Sequence, residues 1–263
     1  MPCISPSFLS LTLAKQFARS YAHESLSFKF VASILRAAAA LDFYKFRAFA
    51  ISYLEKMWPN ELEDAFTSIN YAADTVFLAR RWNINSILKR ALYELVISEG
   101  FKQSEMDQID PDIEDRENQS VLTVFDFSLL VHTREQLTKF WMQKVIPPPQ
   151  PDTCQSPRKS SAYQTCAVTR RKTHELYKIL FHDSKIFERY RDDPILGLRI
   201  LRNAPWTEGE VWPGWTHPQE ELLLSTNEVG YLCSVCAEKW KAIWRGEMTK
   251  LWSDMDIWFK LRT

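Results

Sequence analysis

ILRAAAALDFYKFRAFAISYLEKMWP, from Ile34 to Pro59, and NYAADTVFLARRWNINSILKRALYELVISEGF, from Asn70 to Phe101, are the two stretches whose reading decides the fold. In the first, Leu35, Ala38, Ala39, Phe43, Phe46, Phe49, Ala50 and Leu54 recur at spacings near three and four. That period sets apolar side chains on one face of successive helical turns. Alanines in the middle of the face let neighbouring helices approach closely, and the aromatic residues fill wider gaps. Pro59 and Asn60 break the pattern. Tyr71, Ala72, Val76, Phe77 and Ala79 resume it, Asn85 suits a helix N-cap, and Ile87, Leu88, Ala91, Leu92 and Leu95 carry the next helix. The expectation is a mainly α fold of stacked short helices, an arrangement that makes surfaces.

Composition narrows the function classes. The 263 residues suffice for one large or two modest domains with ample core. Lysine plus arginine equals aspartate plus glutamate at 33 each, so no global field draws in nucleic acid or an anionic membrane. Only 6 glycines argues against Gly-rich phosphate loops and an all-β architecture. The 10 tryptophans are spread along the chain and read as large knobs between packed helices rather than as a ligand cage. No apolar run approaches the roughly 20 residues needed to cross a bilayer. The start of the chain lacks a basic stretch and a cleavage site, so no signal peptide is expected; Lys15, Arg19 and several serines only faintly suggest a transit peptide. With 5 cysteines, an odd number, the expected compartment is a reducing one, cytoplasm or nucleus, where thiols stay free or bind metal.

Several blocks taken together resemble a known family. ILRAAAALDFYKFRAFAISYLEKMWP is similar to the helical part that follows the sheet in BTB/POZ proteins, in particular the large group found in mushroom-forming fungi. YAADTVFLARRWNINSILKRALYELVISEGF is similar to the stretch that comes next there. The likeness continues through LTVFDFSLLVHTREQLTKFW, IFERYRDDPILGLRILRNAPW and LCSVCAEKWKAIWRGEMTKLWSDMDIWFKL, covering most of the chain from about Phe28 onward. The resemblance implies an interaction protein without catalytic activity of its own, an adaptor or scaffold. In the family the BTB fold recruits a cullin-type ubiquitin ligase or a second copy of itself, and the remainder selects another protein. One departure is marked. Only about thirty residues precede the alanine-rich helix, and they hold no Asn-Gly or Asp-Gly hairpin turn, so the BTB sheet is expected to be largely missing. Dimerisation and cullin docking then depend on an upstream sheet.

Four parts are expected along the chain: a BTB-tail-like helical stack over residues 1–101, an acidic connector and packing helix over 102–145, a Pro-rich linker over 146–172, and a C-terminal helical region over 173–263. The connector KQSEMDQIDPDIEDRENQ lacks the glycine and ligand register of a calcium loop and reads as a solvated segment. Asp126 or Ser128 is expected to cap the helix through Leu129, Leu130, Leu137, Phe140 and Trp141. Prolines 147 to 149 favour extended chain, a semi-rigid linker, although Pro148 and Pro151 give the PxxP spacing of a recognition ligand. The last helix, from about Cys236 to Leu261, is expected to pack through Trp240, Ile243, Trp244, Leu251, Met255 and Trp258.

Chemistry is suggested in one place. Cys233 and Cys236 form a CxxC at the start of that last helix, with Cys154 and Cys166 upstream. A structural zinc ion takes four such ligands, with thiolates at about 2.3 Å, and a CxxC turn supplies two of them. His174 is a substitute for either upstream cysteine. The eleven residues between Cys154 and Cys166 do not themselves bring those two together, so unpaired structural thiols stand beside the zinc reading. A redox CxxC ranks behind both, lacking a βαβ context. No HExxH, GxGxxG, Walker loop or GxSxG elbow occurs, and no membrane or small-molecule partner is expected. The alternative function is a zinc-stabilised regulator that binds nucleic acid through the basic residues between 158 and 172.

Overall fold

Seven α-helices and one π-helical turn form the regular structure of the described residues, with no strand among them. The mainly α expectation therefore holds. The computed structural model describes residues 26–62, 69–98, 122–147, 190–204, 206–207 and 232–261. The helices are α1 (Phe28–Ala40), α2 (Tyr44–Met57), α3 (Ala72–Trp82), α4 (Asn85–Ile97), α5 (Val124–Phe140), α6 (Pro194–Asn203) and α7 (Ser234–Trp258). The π turn, Trp141–Val145, extends α5. The chain divides into two compact units: Met1–Leu95 with Glu99–Phe127, and Val96–Ser98 with Ser128–Thr263. The boundaries expected near residues 101 and 172 lie outside the described residues.

In the first unit, Ser27 caps α1 by accepting the Phe30 N–H at 3.4 Å. Phe28, Val31, Ala32, Leu35 and Ala38 form its buried face, and α1 packs on α2, which buries Ala50 and Leu54. The single face expected from Leu35 to Leu54 does not continue through the junction. Asp42 takes a left-handed backbone with φ 53°, which ends α1 and restarts the helical phase. Phe43 consequently points outward, and Phe46 and Phe49 are only half-buried. Trp58 ends α2 just before Pro59, a residue that cannot supply the next helical N–H.

Left-handed residues flank α3. Tyr71 precedes it at φ 69°, an unfavourable conformation for a bulky side chain, and its ring stacks on Phe28 at 4.9 Å. Asn83 closes α3 at φ 54°, a position asparagine tolerates well, and the Ile84 N–H folds back onto the Ala79 carbonyl at 2.9 Å. Asn85 then starts α4. From Ile87 to Val96 every residue of α4 is buried, Lys89, Arg90 and Glu94 included. Arg90 and Glu94, one turn apart, pair with each other.

The start of α5 carries a reciprocal cap. Thr123 Oγ1 accepts the Asp126 N–H at 3.1 Å, while Asp126 Oδ2 accepts the Thr123 N–H at 3.3 Å and its hydroxyl at 2.6 Å. Thr123 is thus the cap, and Asp126 lies inside the first turn. The other Asp126 oxygen accepts from Arg80 Nε and Nη2 at 3.3 and 3.2 Å.

The second unit starts where Arg134 on α5 donates to the carbonyls of Val96 and Ser98 at 2.6 and 2.7 Å, satisfying acceptors at the C-terminus of α4. The π turn seats Trp141 and Val145 inside. Trp141 lies against Gly197 of α6, where an added Cβ would meet the indole at 2.7 Å. Asp193 caps α6 through the Leu196 N–H at 3.0 Å, with Pro194 in the first turn. α6 packs on α7, whose buried stripe is Cys236, Trp240, Trp244, Met248, Leu251 and Met255. The expected stripe is corrected at three positions: Ile243 and Trp258 are half-buried, and Met248 takes part. Trp206 links the two helices. Its indole N–H donates to the Leu201 carbonyl at 2.8 Å, its carbonyl accepts the Leu232 N–H at 2.7 Å, and its ring meets Trp240 edge-on at 4.8 Å.

Candidate functional site

On α2, Tyr44, Arg47, Ala48, Ile51 and Glu55 follow one another at spacings of three and four, so they share a face distinct from the Ala50–Leu54 side that packs on α1. Opposite them the tight α3–α4 junction presents Trp82, Asn83, Ile84, Asn85 and Ser86. Between these two walls runs a solvent-open groove of about 530 Å³, wholly within the first unit. The left-handed Asn83 makes the junction short enough for five consecutive residues to line it.

One end of the groove is tied. The Ser86 hydroxyl donates to Glu55 Oε1 at 2.7 Å, linking α4 to α2. Toward the other end, Tyr44 is 70% exposed and is followed outward by Phe43 at 46% and Leu41 at 62%. Exposed apolar surface is thus clustered at that end. Ile51 and Trp82 are half-buried and Ile84 is buried, giving an apolar floor.

The lining carries one positive and one negative side chain, Arg47 and Glu55. Arg81 lies over the Trp82 ring at 5.5 Å and the Phe77 ring at 5.9 Å. Burial lowers the pKa of the Arg36 guanidinium; the Asp74 carboxylate opposes that shift and the Arg81 charge adds to it.

The cysteine positions behave differently. Cys233 is the N-cap residue of α7 and half-buried, and Cys236 is buried in the first helical turn. Both expected thiols of the CxxC therefore sit at a helix N-terminus. Cys154, Cys166 and His174 lie outside the described residues, as do the acidic connector, the PxxP prolines and the basic residues between 158 and 172. Among the described residues no three Cys, His, Asp or Glu side chains converge as a metal site. Also among them, no helix is long and apolar enough to cross a membrane.

The α2 face expected from the sequence contains Ala50 and Leu54, the buried residues of that helix, and the groove lies on its other, mostly exposed side, which apolar periodicity does not single out. The groove's other wall comes from a turn, where no periodicity exists to be read. No family model matches the chain, and no curated protein or solved structure is similar to it.

Proposed function

We propose that the chain is a protein–protein interaction module, a BTB-like adaptor or scaffold with no catalytic activity of its own, acting in the cytoplasm or nucleus. The observation that supports this reading is the open groove between α2 and the α3–α4 junction, continued outward by the exposed Phe43 and Tyr44. A small-molecule site encloses most of its ligand. Here most lining residues are exposed to solvent, a shape suited to side chains presented by another protein. Aromatic and arginine side chains of the kind found in this lining are those that most often dominate binding energy at interfaces. In the adaptor reading these helices hold another protein, and a cullin-type ubiquitin ligase or a second copy docks only if a BTB sheet lies upstream.

The same reading includes a structural zinc ion held by Cys154, Cys166, Cys233 and Cys236. Its support is the pair of thiols at the N-terminus of α7, where amide N–H groups and the helix dipole favour thiolate.

A photo-crosslinking residue at Ala48, exposed in the groove, tests the interaction function. It is expected to join the full chain to a discrete set of proteins in cells, and Tyr44→Asp is expected to abolish the products without changing the melting temperature. Products no different from those of a crosslinker at exposed Lys250 on α7 would refute the reading.

A further inference from the structure

We infer that the groove takes a second copy of this chain, the two α2 helices lying antiparallel across a two-fold axis at Ile51. This rests on the protein-binding reading above and names the partner, through a contact that uses the groove itself and needs no upstream sheet. Away from its buried side, α2 carries exposed Arg47, Ala48, Ser52 and Glu55 and half-buried Ile51. Arg47, Ile51 and Glu55 all line the groove and are evenly spaced, each four residues or about 6 Å of rise from the next. A two-fold axis at Ile51 therefore sets Arg47 of each copy against Glu55 of the other, and Ile51 against itself. The small side chains of Ala48 and Ser52 on either side of Ile51 let the two helices approach closely.

Charge complementarity selects this occupant. The lining holds one cation and one anion, so a segment of a single sign is attracted at one end and repelled at the other. A helix bearing both signs in the reverse order suits both ends, and an antiparallel α2 is such a helix. Arg47 makes no ion pair among the described residues. Glu55 accepts from the Ser86 hydroxyl through Oε1, which leaves acceptor sites on its other oxygen for a guanidinium. The chain as a whole is neutral, with 33 basic and 33 acidic residues, so two copies meet without net repulsion. Tyr44 lies seven residues before Ile51, about 10 Å of rise, so it reaches past Glu55 of the second copy. The exposed rings of Phe43 and Tyr44 are covered there, once at each end of the pair.

Sedimentation of the intact chain over a range of concentrations, with charge-reversed variants, tests this. The unchanged chain is expected to associate to a dimer. Arg47→Glu and Glu55→Arg each set like charges together at both ends, and each should weaken association by about tenfold with the helical circular dichroism unchanged. An equimolar mixture of the two should recover it, because every contact between positions 47 and 55 then joins opposite charges. Ser86→Ala, which removes the tie to Glu55 and keeps its charge, should leave association intact, as should Lys250→Glu on α7. Undiminished dimers from either charge-reversed variant, or no recovery on mixing, overturn the two-fold arrangement. A chain that stays monomeric yet cross-links from Ala48 to other proteins overturns the second copy and leaves the interaction reading standing. A monomer with no specific cross-link at Ala48 overturns both.

Discussion

Arg90 and Glu94 show how a buried charge escapes sequence reading. In the sequence they fall between Ile87, Leu88, Ala91, Leu92 and Leu95, the pattern of a helix with one wet face. In the structure that face is closed too, because the two side chains pair one turn apart and the Arg90 guanidinium lies over Tyr93 at 5.9 Å. Periodicity detects which residues avoid water, and it cannot detect charges that satisfy each other away from it. Glu94→Ala should therefore cost about 3–5 kcal/mol in urea unfolding, while the double change Arg90→Met with Glu94→Leu should recover most of that loss. Two helical glycines among the described residues make an opposed pair. At Gly197 a methyl group would meet Trp141 at 2.7 Å, so Gly197→Ala should destabilise by about 1–3 kcal/mol. At Gly246 nothing lies within 4 Å, so Gly246→Ala on exposed α7 should stabilise by roughly 0.5–1 kcal/mol. Denaturant midpoints for the two variants should move in opposite directions.

Helix identity was legible at the level of elements, and so was the buried face of most helices: Ala50 and Leu54 of α2, Ile87, Leu88, Ala91, Leu92 and Leu95 of α4, and Trp240, Trp244, Leu251 and Met255 of α7 are buried as expected. Alanine-rich and tryptophan-rich periodicity marks α1, α2 and α7 in the sequence, and the proline after α2 and asparagine after α3 mark their ends. The junctions were less legible. Asp42 ends α1 and leaves Phe43 exposed, and Thr123 begins α5 a turn earlier than an Asp126 or Ser128 cap implies, because the threonine hydroxyl and the aspartate satisfy each other's N–H. Thr123→Ala should cost about 1 kcal/mol, read as a lower unfolding midpoint. Trp206 is the element-scale fastener of the second unit, holding the last turn of α6 and the approach to α7 by two hydrogen bonds and an edge-on ring contact. Trp206→Phe keeps most of the packing and loses the bond to Leu201, so it should cost about 1 kcal/mol, against about 3–5 kcal/mol for Trp206→Ala.

For the molecule as a whole, two compact units carry the two proposed sites separately: the groove in the first and the CxxC in the second. The zinc reading is testable at this scale. Purified protein should hold about one equivalent of metal, and a chelator or Cys233→Ser with Cys236→Ser should lower the stability of the second unit. The cross-linking products from Ala48 should persist in the same variant. Protein with no metal, unchanged by chelator, would rule out the zinc site. The CxxC was legible because both thiols fall within one helical turn. The groove was not, since its walls are the exposed side of a helix and a turn, and only their folding together makes a site.

The sealing of α4 has a consequence in time. An amide between Ile87 and Leu95 is shielded by its own helix and by the side chains closed over every face, so it meets solvent deuterium only when the first unit opens. Those protons should be the last in that unit to exchange, and their rate is a clock for its opening. A partner that grips the groove would slow the clock without touching α4's buried stretch, so exchange at these few amides could report occupancy from a distance.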